Sequence, residues 1–93
     1  MDNPDPQIDG ADVIIWSRSI EQPFFWVGDP KDPESHAIHG LVIAKYRDSS
    51  EIYRFSCDNK WQVIQDGIYE SEEEAIESLH DLYGLDVINW KSF

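Results

Sequence analysis

Residues Glu51–Gly84 read EIYRFSCDNKWQVIQDGIYESEEEAIESLHDLYG and carry the clearest structural signals in the chain. In Glu51–Cys57 the side chains alternate between two faces, which is the two-residue period of a β-strand. Asp58-Asn59 follows, and both residue types bond to nearby backbone and tolerate a positive φ. A second alternating run, Lys60–Gln65, comes next. Two alternating runs around a short turn predict an antiparallel β-hairpin that ends at Asp66-Gly67.

The residues after the hairpin predict an amphipathic helix. Ser71 begins a capping box, in which its hydroxyl accepts the N–H of Glu74 and the Glu74 carboxylate accepts the N–H of Ser71. Gly84 stands where a left-handed residue often ends a helix. Apolar residues recur at intervals of three and four and form one stripe: Ala75, Ile76, Leu79, Leu82 and Tyr83. The outer face is acidic and has a plain interpretation as a solvated helix surface: Glu73, Glu74, Glu77 and Asp81.

Further strands are predicted on both sides of this segment. Ala11–Ser17, Phe24–Val27 and a long strand His36–Tyr46 precede it, and Val87–Trp90 follows it. The order β-β-β-β-β-α-β predicts an α+β domain, with a mostly antiparallel sheet of five to six strands and one amphipathic helix packed on one face. One short helix cannot cover both faces of such a sheet. Either the sheet curls strongly, or its second face stays open for a partner.

Length and composition bound the domain organisation. With 93 residues, of which 41% are hydrophobic, the chain has room for one domain with one modest core. Residues 1–10 are rich in Asp, Asn, Pro and Gly and predict a flexible acidic N-terminal tail, which leaves a single α+β domain over residues 11–93. The N-terminus lacks the basic and apolar regions of a signal peptide, and no apolar run approaches the roughly 20 residues that cross a bilayer. The single cysteine cannot form an internal disulfide, so we expect a cytoplasmic protein.

The net charge is the strongest compositional signal. The chain has 19 acidic and 7 basic side chains and a formal charge of −12. Contacts with phosphates require a basic surface, so this excess argues against direct binding to nucleic acid or to an anionic membrane. It favours a basic protein partner and fast, salt-sensitive association. The alternative is that the acidity only maintains solubility.

The sequence shows no catalytic or metal-binding motif. His36 and His39 are three residues apart, which on a strand places them on opposite faces. Three histidines and one cysteine match no zinc spacing. We interpret Cys57 as a small buried hydrophobic residue rather than as a nucleophile activated by a histidine. Since the glycines are isolated, no phosphate-binding loop is predicted, and we expect no cofactor, no metal and no enzymatic activity.

The candidate binding residues form two sets. The loop Gly28–Ser35 contains two prolines that stiffen it, so it is either an ordinary polar connection or a recognition element. Tryptophan is enriched in binding hot spots, and Trp26 beside this loop is the best candidate for an exposed anchor. Trp16, Trp61 and Trp90 are expected in the core. The candidates are Trp26, Asp29, Asp32 and Glu34 at the loop, and Glu73, Glu74, Glu77 and Asp81 on the helix.

The overall profile is similar to that of small bacterial inhibitor proteins, such as toxin-immunity proteins and DNA-mimic proteins. These tend to be short, acidic, cytosolic and built around one domain, and the likeness rests on size and charge with no shared motif. It implies a non-enzymatic binding protein that neutralises a basic partner, as an immunity protein or inhibitor of a nuclease-type toxin does. The alternative is a structural or regulatory homo-oligomer, which would use an uncovered sheet face or the edge strand at Phe24–Val27.

Overall fold

The computed structural model describes residues 1–93 and contains seven β-strands followed by one α-helix. Five strands form one antiparallel sheet in the order β1-β2-β5-β6-β7, and β3 and β4 form a separate two-stranded ribbon. The sheet curls and the helix packs against it, so the predicted α+β fold is confirmed. No helix is both long enough and apolar enough to cross a membrane. The elements are β1 Gln7–Ile8, β2 Ala11–Arg18, β3 Phe25–Val27, β4 His36–Ile38, β5 Gly40–Lys45, β6 Ile52–Cys57, β7 Val63–Tyr69 and α1 Glu72–Tyr83.

The N-terminal segment, residues 1–9, is packed against the rest of the chain. Strand β1 pairs with the start of β2, and the Ile8 side chain is buried in a core cluster. Upstream of β1, the Arg18 guanidinium donates to the carbonyl of Met1 at 2.8 Å. The indole N–H of Trp61 donates to the carbonyl of Asp2, also at 2.8 Å. Part of the predicted N-terminal tail is therefore a strand of the sheet.

Both faces of the five-stranded sheet are covered. On the first face, a buried cluster that includes Trp16 and Phe55 is closed by Ile8 and Trp61. On the second face, α1, the β3–β4 ribbon and residues 85–90 bury two further clusters. Of the two alternatives drawn from the sequence, the structure therefore has the curled sheet, and an open sheet face is absent.

The predicted hairpin exists, but its second strand lies further along the chain. Strands β6 and β7 pair antiparallel, and β7 covers Val63–Tyr69 instead of Lys60–Gln65, so Asp66-Gly67 lies inside the strand and does not end it. Trp61 lies in the turn with a φ of 61°. The Asp58 carboxylate folds this turn by accepting the backbone N–H of Lys60 at 2.8 Å. Residues 58–62 therefore form a five-residue turn, and the second strand does not include residues 60–62.

The strand predicted over His36–Tyr46 is two strands. Between β4 and β5, the Nδ1–H of His39 donates to the carbonyl of Ser19 at 2.6 Å, and β4 leaves the main sheet to pair with β3. At Gly40, the first residue of β5, the ring of Trp61 lies so close that a Cβ atom would clash with it. The space beside the backbone at Gly40 is therefore taken by the Trp61 ring.

The strand predicted over Val87–Trp90 is wrong. After Gly84 the chain has no regular secondary structure, and it makes one isolated bridge, in which Trp16 and Lys91 exchange N–H···O bonds of 2.9 and 2.8 Å. The side chains of Ile88 and Trp90 pack into the cluster on the second face. No strand therefore follows the helix.

The predicted helix and its caps are confirmed. The Ser71 hydroxyl accepts the N–H of Glu74 at 3.1 Å, and Gly84 ends the helix in the left-handed conformation with a φ of 68°. One detail differs from the predicted capping box. The Glu74 carboxylate accepts the N–H of Glu70 at 3.1 Å rather than that of Ser71.

Candidate partner-binding surfaces

The β3–β4 ribbon carries the first set of candidate residues. Phe25 and Val27 pack against the buried cluster on the second face of the sheet, and the Phe25 ring stacks on Tyr83 with 3.7 Å between centroids. Trp26 lies between them and, because side chains alternate along a strand, points to the opposite side. Its side chain is 42% exposed. Trp26 therefore combines a fixed backbone with the exposure that a binding anchor needs.

The loop at the tip of the ribbon is folded by its own carboxylates. Asp29 accepts the backbone N–H of Lys31 at 2.9 Å, and Asp32 accepts the backbone N–H of Glu34 at 2.9 Å. These are Asx-type turns, in which an Asp side chain mimics a backbone turn. Asp29, Asp32 and Glu34 are exposed and form no ion pair. The three acids are thus presented next to Trp26 on a loop of defined shape, which we call the acidic tip.

The second set of candidates lies on the exposed side of α1. Glu73, Glu77 and Asp81 follow one another at intervals of four and share one side of the helix. Glu74 has a structural role, since its carboxylate accepts the N–H of Glu70 ahead of the helix. We call Glu73, Glu77 and Asp81 the helix acids.

The acidic tip and the helix acids are separate surfaces. The ribbon contacts α1 at Tyr83, its last residue, whereas Glu73 lies in the first turn. Twelve helical residues extend about 18 Å, so these two points are at opposite ends of the helix. Asp81 is the helix acid closest in sequence to the ribbon contact. One partner that touches both surfaces would need a broad footprint.

Few carboxylates are neutralised within the protein. Of the 19 acids, Asp12 forms an ion pair with Arg47 at 3.2 Å, and Asp86 contacts the Nδ1 of His80 at 2.6 Å. Hydrogen bonds from Gln7 and then Arg47 hold the pKa of Asp12 below its ordinary value. The remaining acids have no cationic partner within 4.0 Å, so the charge of −12 is expressed as a negative field around the protein.

A groove that the sequence analysis missed lies between α1 and the C-terminal segment. Its volume is about 470 Å³. Three exposed polar residues and five apolar residues line it: Glu77, His80, Asp86, Ile76, Leu85, Val87, Ile88 and Trp90. The sequence pattern predicted a strand over Val87–Trp90 and therefore gave no indication of a groove at this position. The available signal was the adjacent pair Val87-Ile88, because two neighbouring apolar side chains in a short irregular segment cannot both face the core.

A buried arginine, which the sequence analysis also missed, links the sheet to the helix. Arg54 is 2% exposed, and its Nη1 donates to the hydroxyl of Ser78 at 2.7 Å. The rings of Tyr69 and Tyr83 lie 5.6 and 5.5 Å from its guanidinium carbon, a distance typical of cation–π contacts. The Nε–H has no partner within the protein. No carboxylate balances this charge directly, so Arg54 depends on the aromatic rings and on the negative field of the chain.

The nucleophile and metal candidates have ordinary structural surroundings. The Cys57 thiol is buried, and burial raises its pKa from 9.0 to about 12. A thiolate is therefore scarce at neutral pH, and the interpretation of Cys57 as a small buried hydrophobic residue is confirmed. His39 is occupied by its bond to Ser19. No group of three His, Cys, Asp or Glu side chains converges as a metal site would require.

Comparisons with known proteins were made at three levels. The chain matches no protein-family model, no curated protein and no solved structure. What can be inferred about its function therefore rests on the fold and on the surfaces described above.

Proposed function

We propose that the protein is a non-enzymatic binding protein that neutralises a basic partner, and that the partner is a nuclease-type toxin blocked in the bacterial cytoplasm. The observation that carries the proposal is the ribbon, where an exposed Trp26 stands beside three unpaired acids. A nuclease cleft is basic because it binds phosphates. Carboxylates placed at matching positions can occupy such a cleft and exclude the nucleic acid.

Preorganisation supports the ribbon as the main contact. The Asx turns hold Asp29 and Asp32, and the Phe25–Tyr83 stack holds the base of the ribbon against the helix. A surface that is already ordered loses less conformational entropy on binding, which leaves more of the contact energy as affinity. In this mechanism Trp26 fills an apolar pocket of the partner and slows dissociation. The acids steer the partner and raise the association rate.

The test begins with capture of the partner. The full-length protein is immobilised and exposed to a lysate of its native host at low salt, and proteins released at high salt are identified by mass spectrometry. A basic protein with nuclease activity that the immobilised chain inhibits is the expected result. An eluate without a basic protein, or a captured nuclease that remains active in the complex, would contradict the proposal.

Kinetic variants then assign roles to the ribbon residues. Trp26→Ala is expected to raise the dissociation rate about 30-fold, as hot-spot tryptophans do. The triple variant D29N/D32N/E34Q is expected to lower the association rate and its salt dependence. Asn keeps a side-chain carbonyl that can accept the turn hydrogen bonds, so the loop shape is preserved. The matched control D2N/D5N/D48N removes the same charge away from the ribbon and should change association less. Equal effects of the two triple variants would contradict a specific role for the acidic tip.

The free edge of β3 favours a second candidate function, the homo-oligomer. Strand β3 pairs with β4 on one side and has no strand on the other. An unpaired strand edge is a template for pairing with a second copy of the same chain. Light scattering at low micromolar concentration separates the two candidates: a stable dimer supports the oligomer, and a monomer that captures a basic protein supports the inhibitor.

A further inference from the structure

The groove between α1 and the C-terminal segment has an apolar floor that is accessible from outside. Ile76, Leu85, Ile88 and Trp90 are half-buried there, and Val87 at its edge is 87% exposed. Exposed apolar surface of this kind, bordered by polar groups, is typical of interaction sites. The groove is formed by packing between α1 and the irregular segment that follows it.

The backbone N–H groups of residues 86–89, beside the groove, are free to donate hydrogen bonds to a partner. The N–H groups of Asp86, Val87, Ile88 and Asn89 donate to no group of the protein, and the segment belongs to no strand or helix. In contrast, Lys91, only two residues further, uses both its N–H and its carbonyl to bond Trp16. Free backbone groups beside an apolar groove are the features that recognise an extended polypeptide, because main-chain bonds supply affinity and the groove selects a side chain.

The charges around the groove select the kind of polypeptide. Glu77 and Asp86 line it, and Asp86 is also bonded to His80 at 2.6 Å. No lysine or arginine lines the groove. The helix acids Glu73 and Asp81 lie on the same helix and add to the negative field. A cationic occupant is therefore favoured, and an acidic peptide is repelled.

We infer that this groove is a second binding surface, which takes an extended segment of a basic protein. An apolar side chain of that segment enters between Ile76 and Trp90, and flanking lysine or arginine side chains contact Glu77 and Asp86. The inference shares the basic partner class of the proposed function but uses a surface remote in sequence from Trp26. It accounts for residues that the ribbon mechanism leaves unused.

Three synthetic peptides of equal length test this inference. The first alternates lysine with leucine, the second replaces each lysine by glutamate, and the third replaces each leucine by serine. Binding to the full-length protein is followed by nitrogen-15 NMR at low salt. The expected result is that only the first peptide shifts the amide signals of residues 86–89 and the indole signal of Trp90. Equal shifts with the glutamate or serine peptide, or shifts confined to the ribbon, would overturn the inference.

Three variants locate the site and separate it from the ribbon. Val87→Lys replaces an apolar side chain at the mouth of the groove by a positive charge, which repels the lysine–leucine peptide and should weaken its binding about tenfold. Glu77→Gln should weaken it about twofold to fivefold, as loss of one exposed ion pair does. Glu72→Gln is the matched control, since Glu72 lies on the same helix but does not line the groove. Equal effects of Glu77→Gln and Glu72→Gln would reduce the interaction to general charge attraction and overturn the site.

Trp26→Ala distinguishes this inference from the proposed function. It should bind the peptide as the wild-type protein does, even if the captured partner no longer binds. A loss of peptide binding in Trp26→Ala would move the site to the ribbon. Failure of the peptide experiment, together with intact capture of a basic protein through Trp26, would remove the groove and leave the proposed function standing.

Discussion

Cys57 shows how surroundings remove the reactivity of a side chain. Its thiol lies in the cluster with Trp16 and Phe55, and no cation stands beside it. Burial raises the pKa to about 12, and the neighbouring Asp58 carboxylate acts in the same direction. The neutral thiol is thus favoured in the folded state over the unfolded state, which links Cys57 to the stability of the protein at alkaline pH.

The alkaline stability of the protein should depend on Cys57. The unfolded thiol ionises near pH 9, whereas the folded thiol stays neutral to about pH 12. Its stabilising contribution is therefore complete below pH 9 and is lost as the pH rises from 9 to 12. We expect the free energy of unfolding to fall by up to about 1.4 kcal/mol per pH unit in this window.

Urea unfolding at closely spaced pH values from 8 to 10 measures this slope. The Cys57→Ala variant is the comparison and should show a flatter dependence above pH 9. The pKa of Tyr46 is also raised, by burial and then by Asp9, and this residue destabilises the fold only as the pH rises beyond about 10. Because Tyr46 is present in both proteins, the difference between their slopes reports the contribution of Cys57. Identical slopes in the two proteins would show that the thiol is not desolvated as described.

The caps of α1 are examples of structure encoded within a few residues. Ser71, three glutamates and Gly84 stand at the positions where a helix needs an acceptor, negative charge and a left-handed residue. The turn at Asp58 is equally local, but it is longer than the predicted Asp58-Asn59 turn and includes Trp61. Trp61 looked like a strand residue because aromatic residues favour strands, but it takes a positive φ in the turn so that its ring can cover Gly40.

Removal of the cap at Ser71 should destabilise the protein by about 1 kcal/mol. Ser71→Ala deletes the hydroxyl that accepts the N–H of Glu74 and leaves this helix terminus less well satisfied. Ser71→Asp supplies another acceptor and should retain most of the stability. The measurement is the free energy of unfolding in urea. Ser50→Ala is the control, since Ser50 is exposed and its hydroxyl makes no bond within the protein; a cap variant no weaker than this control would contradict the assignment.

The closure of the whole molecule depends on the two ends of the chain. The N-terminal segment completes the first face of the sheet, with Ile8 in the core, and the C-terminal segment packs on the second face beside the helix. This arrangement lets a chain with one helix cover both sides of a curled sheet. It also produces the groove beside Val87, because the C-terminal segment lies against the helix without filling the space between them.

Ile8→Ala tests whether the N-terminal segment is part of the folded core. Ile8 is 8% exposed and packs with the buried cluster on the first face. Truncation of a buried isoleucine typically lowers the free energy of unfolding by about 2–5 kcal/mol, and we expect the lower half of that range near the edge of the core. Asp5→Ala, at an exposed position of the same segment, should be close to neutral. A loss below about 0.5 kcal/mol for Ile8→Ala would mean that residues 1–9 are a tail in solution.

Local chemistry was sufficient to predict the α+β class, the helix with both caps, strand β2 and the burial of Cys57. These features depend on periodicity and on hydrogen bonds between residues close in the chain, so their signals lie within short segments. That the candidate acids bind a partner stays a prediction.

Tertiary contacts decided the features that the sequence analysis misplaced. The bounds of β7, the break at His39, the packed N-terminal segment and the groove all follow from contacts between distant residues, such as Trp61 with Gly40 and Trp16 with Lys91. The pattern of residues along the chain does not show which distant residues will be in contact. Their stability comes from burying apolar surface that only the assembled sheet, helix and termini bring together.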